Sequence, residues 1–211
     1  MEAEISIHDL LKKGKYEASL ITTYNAYLPF YEEVVLKNLV SRGCRHNVLL
    51  MDSSQFSESL LSPSLRPQSA GYDYTLVPMK ARGAFHPKII LLLGRKKGVL
   101  LVGSHNMTYS GLGINREITT SVEVSDGKEK QGILAAQSAW KFVLRWLEEQ
   151  RGKVAEELID AVLAIKRFAP WLSKRLLRIR LMIFSWVPHP KEVRYGRPYK
   201  AMCLDPLSGL L

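Results

Sequence analysis

Five polar residues sit at the ends of two strongly apolar stretches, with a sixth close downstream. His86 and Lys88 open the run HPKIILLL, and Ser104, His105 and Asn106 close the run GVLLVGSHN. Glu117 follows eleven positions after Asn106. Residues two apart in an extended chain share a face, so His86 and Lys88 can reach one ligand together, as can Ser104 and Asn106. This set of groups suits a phosphate ester. An imidazole can act as nucleophile or proton donor, and an ammonium supplies fixed positive charge. Hydroxyl and amide groups donate to non-bridging oxygens. Asn106 precedes MTYSG, a segment able to start a helix, whose backbone N–H groups would favour an anion. His105 is expected to line the pocket, and Lys80 and Arg82, just upstream of the cluster, to bind substrate.

These residues need a scaffold that brings 86–88 beside 104–106. The turn GRKKG between the two apolar runs makes them a hairpin. IILLL is apolar on both faces, as in a central strand covered by helices. Ahead of it, 17–24 (EASLITTY) and 46–52 (HNVLLMD) read as strands, separated by a helix over LPFYEEVVLKNLVSRG with Gly43 at its C-terminal cap. That is a β–α–β unit with parallel strands. A short helix and loop then lead into the strand YDYTLVPM, with Pro63 and Pro67 breaking any longer helix. NREITTSVEV gives a further strand closed by the turn SDGK. Two helices follow, in KEKQGILAAQSAWKFVLRWLEEQRG and VAEELIDAVLAIKRF. The fold expected is α/β: a mixed, mostly β central sheet with helices on both faces, followed by a helical, basic C-terminal region.

Composition narrows the classes of partner. The 211 residues carry a net charge of +10, with 46% hydrophobic and 24% charged residues. That balance is ordinary for a globular protein, and its pI of 9.6 suits a polyanionic partner such as nucleic acid or an anionic membrane surface. There is no apolar run of the ~18 residues that a membrane helix needs. The N-terminus has acidic residues and no apolar signal core, so a cytoplasmic protein with reduced Cys44 and Cys203 is expected.

HPK followed by GSHN and then Glu117 resembles the HxK…GSxN signature of the phospholipase D superfamily, closest to its nuclease and restriction-endonuclease-like branch. The resemblance covers roughly residues 17–125 and includes the stretch TTYNAYLPFYEEVVLKNL. It implies a phospholipase D-like fold, no metal or other cofactor, and a covalent phosphohistidine. His86 would attack phosphorus through Nε2, and Glu117 would hold the other ring nitrogen. Lys88 and Asn106 would bind phosphate oxygens, with Ser104 in support. Leu93 stands where the family has an Asp, and the spacing from His86 to Gly103 is slightly long.

The mechanism so implied needs two histidines. His8, His46, His105 and His189 lie in no second copy of the motif, and HPKEV at 189–193 is followed by no GSxN. A homodimer that joins two copies of the site at its two-fold axis supplies the second histidine. The expected domains are a catalytic unit over 1–165 and a basic, aromatic extension over 166–211, either part of the same domain or a truncated second unit. The expected activity is DNA endonuclease cleavage in bacterial defence or DNA processing, with an ATPase or helicase as a possible partner. The alternatives are a phospholipid hydrolase or transferase, and a non-catalytic nucleic-acid-binding subunit.

Overall fold

A computed structural model describes residues 14–125 and 130–173. Six strands form one sheet in the order β3-β2-β1-β4-β5-β6. They are β1 (Ala18–Thr23), β2 (His46–Asp52), β3 (Thr75–Met79), β4 (Ile89–Leu93), β5 (Lys97–Gly103) and β6 (Thr119–Ser125). β1, β2 and β3 run parallel, while β4 lies antiparallel to β1, and β5 and β6 continue antiparallel from it. The C-terminal ends of β1, β2 and β5 therefore meet the starts of β4 and β6 along one rim. The boundary between the parallel and antiparallel halves falls between β1 and β4.

Alternation along the strands explains the two layers. Ala18, Leu20, Val48, Leu50, Leu91 and Leu93 turn to one side, where Trp140, Val143 and Leu147 of α3 (Lys130–Glu148) and Val162 of α4 (Glu156–Ala164) cover them. Ile21, Leu49, Met51, Ile90, Leu92 and Leu101 turn to the other, under α1. This helix runs through three consecutive pieces, Leu28–Phe30, Tyr31–Leu36 and Lys37–Ser41, the middle one π-wound. It ends as its glycine predicts. Gly43 has φ 92°, Cys44 N donates to Leu39 O at 3.0 Å and Gly43 N to Val40 O at 3.0 Å. Those two bonds satisfy the last carbonyls of the helix. α2 (Ser53–Leu61) follows β2 directly.

The layered α/β architecture with helices on both faces agrees with the sequence reading, and the parallel β1–α1–β2 unit is present. Two expectations change. β4 begins at Ile89, so the HPK tripeptide precedes the strand instead of opening it. The segment after Asn106 winds only into a five-residue π-turn, Ser110–Ile114, too short to present a helix dipole to an anion. Beyond α4, two 3-10 turns (Ile165–Phe168 and Pro170–Ser173) bring Ala169, Trp171 and Leu172 into the first core. Trp171 Nε1 donates to Gly94 O at 2.8 Å, closing the hairpin end of the sheet. His8 and the expected N-terminal segment up to residue 13, residues 126–128 of the SDGK turn, His189, Cys203 and the rest of the basic extension lie outside the described residues.

Candidate active site

The rim where β1 ends holds both halves of the polar cluster. Two adjacent threonines of β1 hold them. Thr22 donates to Pro87 O at 3.0 Å and accepts from Ile89 N at 2.9 Å, fixing the backbone on either side of Lys88. Asp52, at the end of β2, takes the next hold upstream. One carboxylate oxygen accepts from Phe85 N at 2.8 Å, and the other caps α2 through Ser54 N at 2.9 Å and the Ser54 hydroxyl. Burial alone would raise the Asp52 pKa. The Ser54 hydroxyl and the backbone N–H donors outweigh it and hold the carboxyl below its ordinary value.

His86 is exposed, with its ring 4.8 Å from that of Tyr24. Lys88 is buried, only 7% exposed, and its Nζ lies 2.6 Å from His86 Nδ1, 3.1 Å from Nε2 and 3.1 Å from His86 O. Burial pushes the Lys88 pKa down, with Glu117 pulling the other way. The ammonium thus stands against the imidazole in a partly desolvated position, where its charge acts more strongly on an anion than it would in water.

Thr23 holds the second half. It accepts from Met107 N at 3.2 Å, and its hydroxyl lies 2.7 Å from Asn25 O and 3.3 Å from Asn106 Oδ1. Asn25 N donates to Asn106 Oδ1 at 3.4 Å. A backbone donor on that atom fixes it as the amide oxygen, so the NH2 of Asn106 faces away from these anchors with no partner among the described residues. Gly111 crosses directly over this loop. A Cβ there would lie 2.4 Å from Asn106 O, so only glycine fits.

Glu117 sits differently from the role the resemblance implies. It accepts from the Ser104 hydroxyl and from Asn115 Nδ2 at 3.2 Å, not from His86. The topology gives the reason. Gly103 pairs with Thr119, which places Glu117 beside Ser104, whereas His86 leads into β4 on the far side of β5. At ~4.8 Å per strand that is a separation of roughly 10 Å. The Ser104 hydroxyl, and then Asn115, hold the Glu117 carboxyl below its ordinary pKa. Ser104 Oγ also accepts from Ile118 N at 3.1 Å, so its hydroxyl is committed to the protein.

His105 is not a wall of an open pocket. It is 1% exposed, its Nδ1 lies 3.1 Å from Thr119 Oγ1, and Nε2 has no hydrogen-bond partner among the described residues. Burial lowers its pKa, opposed by Glu117 and reinforced by Lys88. It packs against Gly103, where a Cβ would approach its Nδ1 to 2.7 Å. Lys80 and Arg82 lie exposed on the loop before HPK, with the Lys80 backbone clamped by Gln150 at 2.8 and 3.1 Å. Among the described residues no group of three or more His, Cys, Asp or Glu side chains is placed to hold a metal ion, and no helix is long and apolar enough to cross a membrane.

No family model matches the chain, and no curated protein matches it. Solved structures do. NucT from Helicobacter pylori is similar at 17% identity, over 66% of this chain and 86% of that one, with a TM-score of 0.45. Nuc from Salmonella typhimurium, described as a phospholipase D family member, is similar at 16% identity over 67% and 82%, with a TM-score of 0.43. A mutant of yeast tyrosyl-DNA phosphodiesterase is similar at 12% identity over 65% of this chain, with a TM-score of 0.46, and the match spans 33% of the yeast chain.

Proposed function

We propose that this chain is a phosphodiesterase acting on DNA, with His86 as the attacking group. The observation that carries the reading is the buried Lys88 ammonium against the exposed His86 imidazole. Across the same rim, the Asn106 amide has its oxygen tied to the protein and its NH2 without a partner among the described residues. A phosphate there meets a nucleophile, a fixed cation and a donor for its oxygens.

The reaction takes two steps. An imidazole nitrogen of His86 forms a bond to phosphorus, and the P–O bond to one nucleoside breaks. The leaving oxygen takes a proton from a second histidine, which then removes a proton from the water that cleaves the P–N bond. The second histidine comes from another copy of the chain, in a homodimer with both sites at one interface. What supports this is the apolar surface beside the site: Ile114 and Ile118 are 78% and 81% exposed, and Tyr27 and Tyr109 are exposed nearby. Metal independence follows the phospholipase D resemblance. So do the endonuclease mode and a role in bacterial defence or DNA processing; the proposal adds a cytoplasmic setting, from two cysteines read as reduced thiols, and an ATPase or helicase supplying substrate.

The test is cleavage of DNA in EDTA by the protein and by His86→Ala, with light scattering in parallel. Cleavage that survives EDTA, vanishes in the variant and tracks a dimer is expected. Full activity in His86→Ala, or a fully active monomer, overturns the scheme. Turnover of phospholipid vesicles in place of DNA would assign the same site to a lipid. DNA retention without cleavage, unaffected by His86→Ala, would make the chain a binding subunit.

A further inference from the structure

The opposite end of the sheet carries chemistry that the proposed reaction leaves unused. There β1 and β2 begin and β4 ends, with Ala18 paired to both His46 and Leu93. Backbone bonds join the flanking segments: Glu17 N donates to Leu93 O at 2.8 Å, and Arg45 N to Glu17 O at 3.2 Å. Exposed cations gather on this rim. Lys15 and Arg45 precede the two strands, Arg95 and Lys96 occupy the hairpin turn, and Arg167 lies close enough to His46 for their charges to interact. Three carboxylates are near: Glu17 lies 3.8 Å from Arg95, Asp73 reaches the adjoining cavity, and Glu123 acts on Tyr16. Arg45, Lys96 and Arg167 have no ion-pair partner among the described residues.

Flat rings are interleaved with these charges. A cavity of about 240 Å³ opens between Arg45, His46, Tyr72, Asp73, Arg167 and Phe168. The His46 ring stacks on Phe168 at 4.1 Å, and the Arg167 guanidinium lies 4.8 Å from the Phe168 ring. Tyr72 is 92% exposed at the mouth, a large ring that no described residue covers. Unpaired cations beside an uncovered ring are what a nucleic-acid strand uses, phosphates on the charges and an unstacked base on the ring.

We propose that this rim is a second nucleic-acid contact, separate from the catalytic one, that holds the phosphates of a strand on Arg45, Lys96 and Arg167 with a base against Tyr72. The proposal takes DNA as the polymer from the reading above, and it does not require cleavage. β1 separates the two rims by roughly 17–20 Å at ~3.3 Å per residue, a distance that a strand at the duplex rise of ~3.4 Å covers in about six nucleotides. The rim therefore favours long substrates over short ones.

The experiment compares R45A/K96A/R167A with the parent, both in the His86→Ala background, for anisotropy-detected binding of a single-stranded 30-mer across a salt series. Small-diester hydrolysis, with bis(p-nitrophenyl) phosphate, is compared in the His86 background. The triple variant is expected to bind at least tenfold more weakly, with a salt slope smaller by about 2, since each phosphate contact contributes ~0.7 for single strands. Its hydrolysis of the small diester is expected to be unchanged. Tyr72→Ala is expected to lower affinity about tenfold with the slope unchanged. Equal affinity and slope in triple variant and parent overturn the rim alone, leaving the catalytic reading intact. A parent that hydrolyses the small diester but binds no DNA overturns both the rim and the DNA assignment. Loss of small-diester activity in the triple variant overturns the separation of the two contacts. Loss of binding to phosphatidylserine vesicles with DNA binding kept overturns the partner class.

Discussion

Thr22 and Thr23 are neighbours on β1, yet each holds a different half of the site. Thr22 bonds Pro87 and Ile89 around Lys88, and Thr23 bonds Met107 next to Asn106. The Thr22 hydroxyl both donates and accepts, and the residue is 1% exposed. Thr22→Val keeps the shape but strands a half-buried carbonyl and a buried N–H, at a cost of about 1–3 kcal/mol. Urea unfolding should show that loss. Phosphodiester hydrolysis should fall by about 10²-fold, because a shift near 1 Å at the reacting group costs that much. Unchanged turnover in a destabilised variant would show that Thr22 supports the fold without positioning His86.

Asn106→Asp isolates one group. The retained oxygen can still accept from Thr23 and Asn25, so stability should change little. The outward NH2 becomes a carboxylate oxygen that repels phosphate. Hydrolysis should drop by about 10²–10³-fold, the usual effect of losing one such donor. A variant with near-parental activity would remove Asn106 from the phosphate-binding set.

Lys88 sits in the structure at a cost. Burial lowers its pKa, which means that the charged form is less stable folded than unfolded. Its contribution is therefore unfavourable at neutral pH and fades as pH rises through the lowered folded value. Lys88→Met should raise the urea midpoint at pH 7 while hydrolysis falls by about 10³-fold. A less stable variant would mean that the bonds to His86 outweigh the burial.

Glu117 gives the opposite sign. Its folded pKa is depressed, so its contribution to stability is present above the unfolded value near ~4.3 and is lost as pH falls through the folded one. Glu117→Gln should flatten the acid limb of stability against pH. Ser104→Ala, which removes the first of the two donors, should raise the Glu117 pKa as read by carboxyl carbon NMR. An unshifted resonance would break the pairing.

Gly111→Ala tests the close approach over Asn106. The added Cβ would fall 2.4 Å from a backbone oxygen that cannot swing away. Thermal unfolding should show a loss of about 1–3 kcal/mol, with hydrolysis reduced alongside it. Parental stability and activity together would mean that the loop tolerates a shift.

Much of this was legible in the chain. β2, β4 and β5 carry near-continuous apolar runs, as strands covered on both faces do, and β1 lies in a stretch rich in β-branched and aromatic residues. His86, Lys88, Ser104 and Asn106 were visible because polar groups at such ends are unusual. Thr22 and Thr23 were not, since β-branched residues in a strand satisfy ordinary propensity and give no separate signal. Asp52 ends a predicted strand and gives no signal of its own; in the structure it caps α2, and its second oxygen, on Phe85, ties it to the site. The partner of Glu117 depended on strand order, which spacing does not contain. The burial of His105 depended on β6 closing over the loop through Thr119.

Trp171 has a consequence for how the molecule is made. The threonines and the residues they hold are all in place by Glu117, yet the layer behind them closes only when Trp171 reaches Gly94 and packs against Gly98. On a ribosome adding roughly 5–20 residues per second, the strands carrying the site wait several seconds for that lid. Until then their apolar backs face the nascent-chain environment, where chaperones bind.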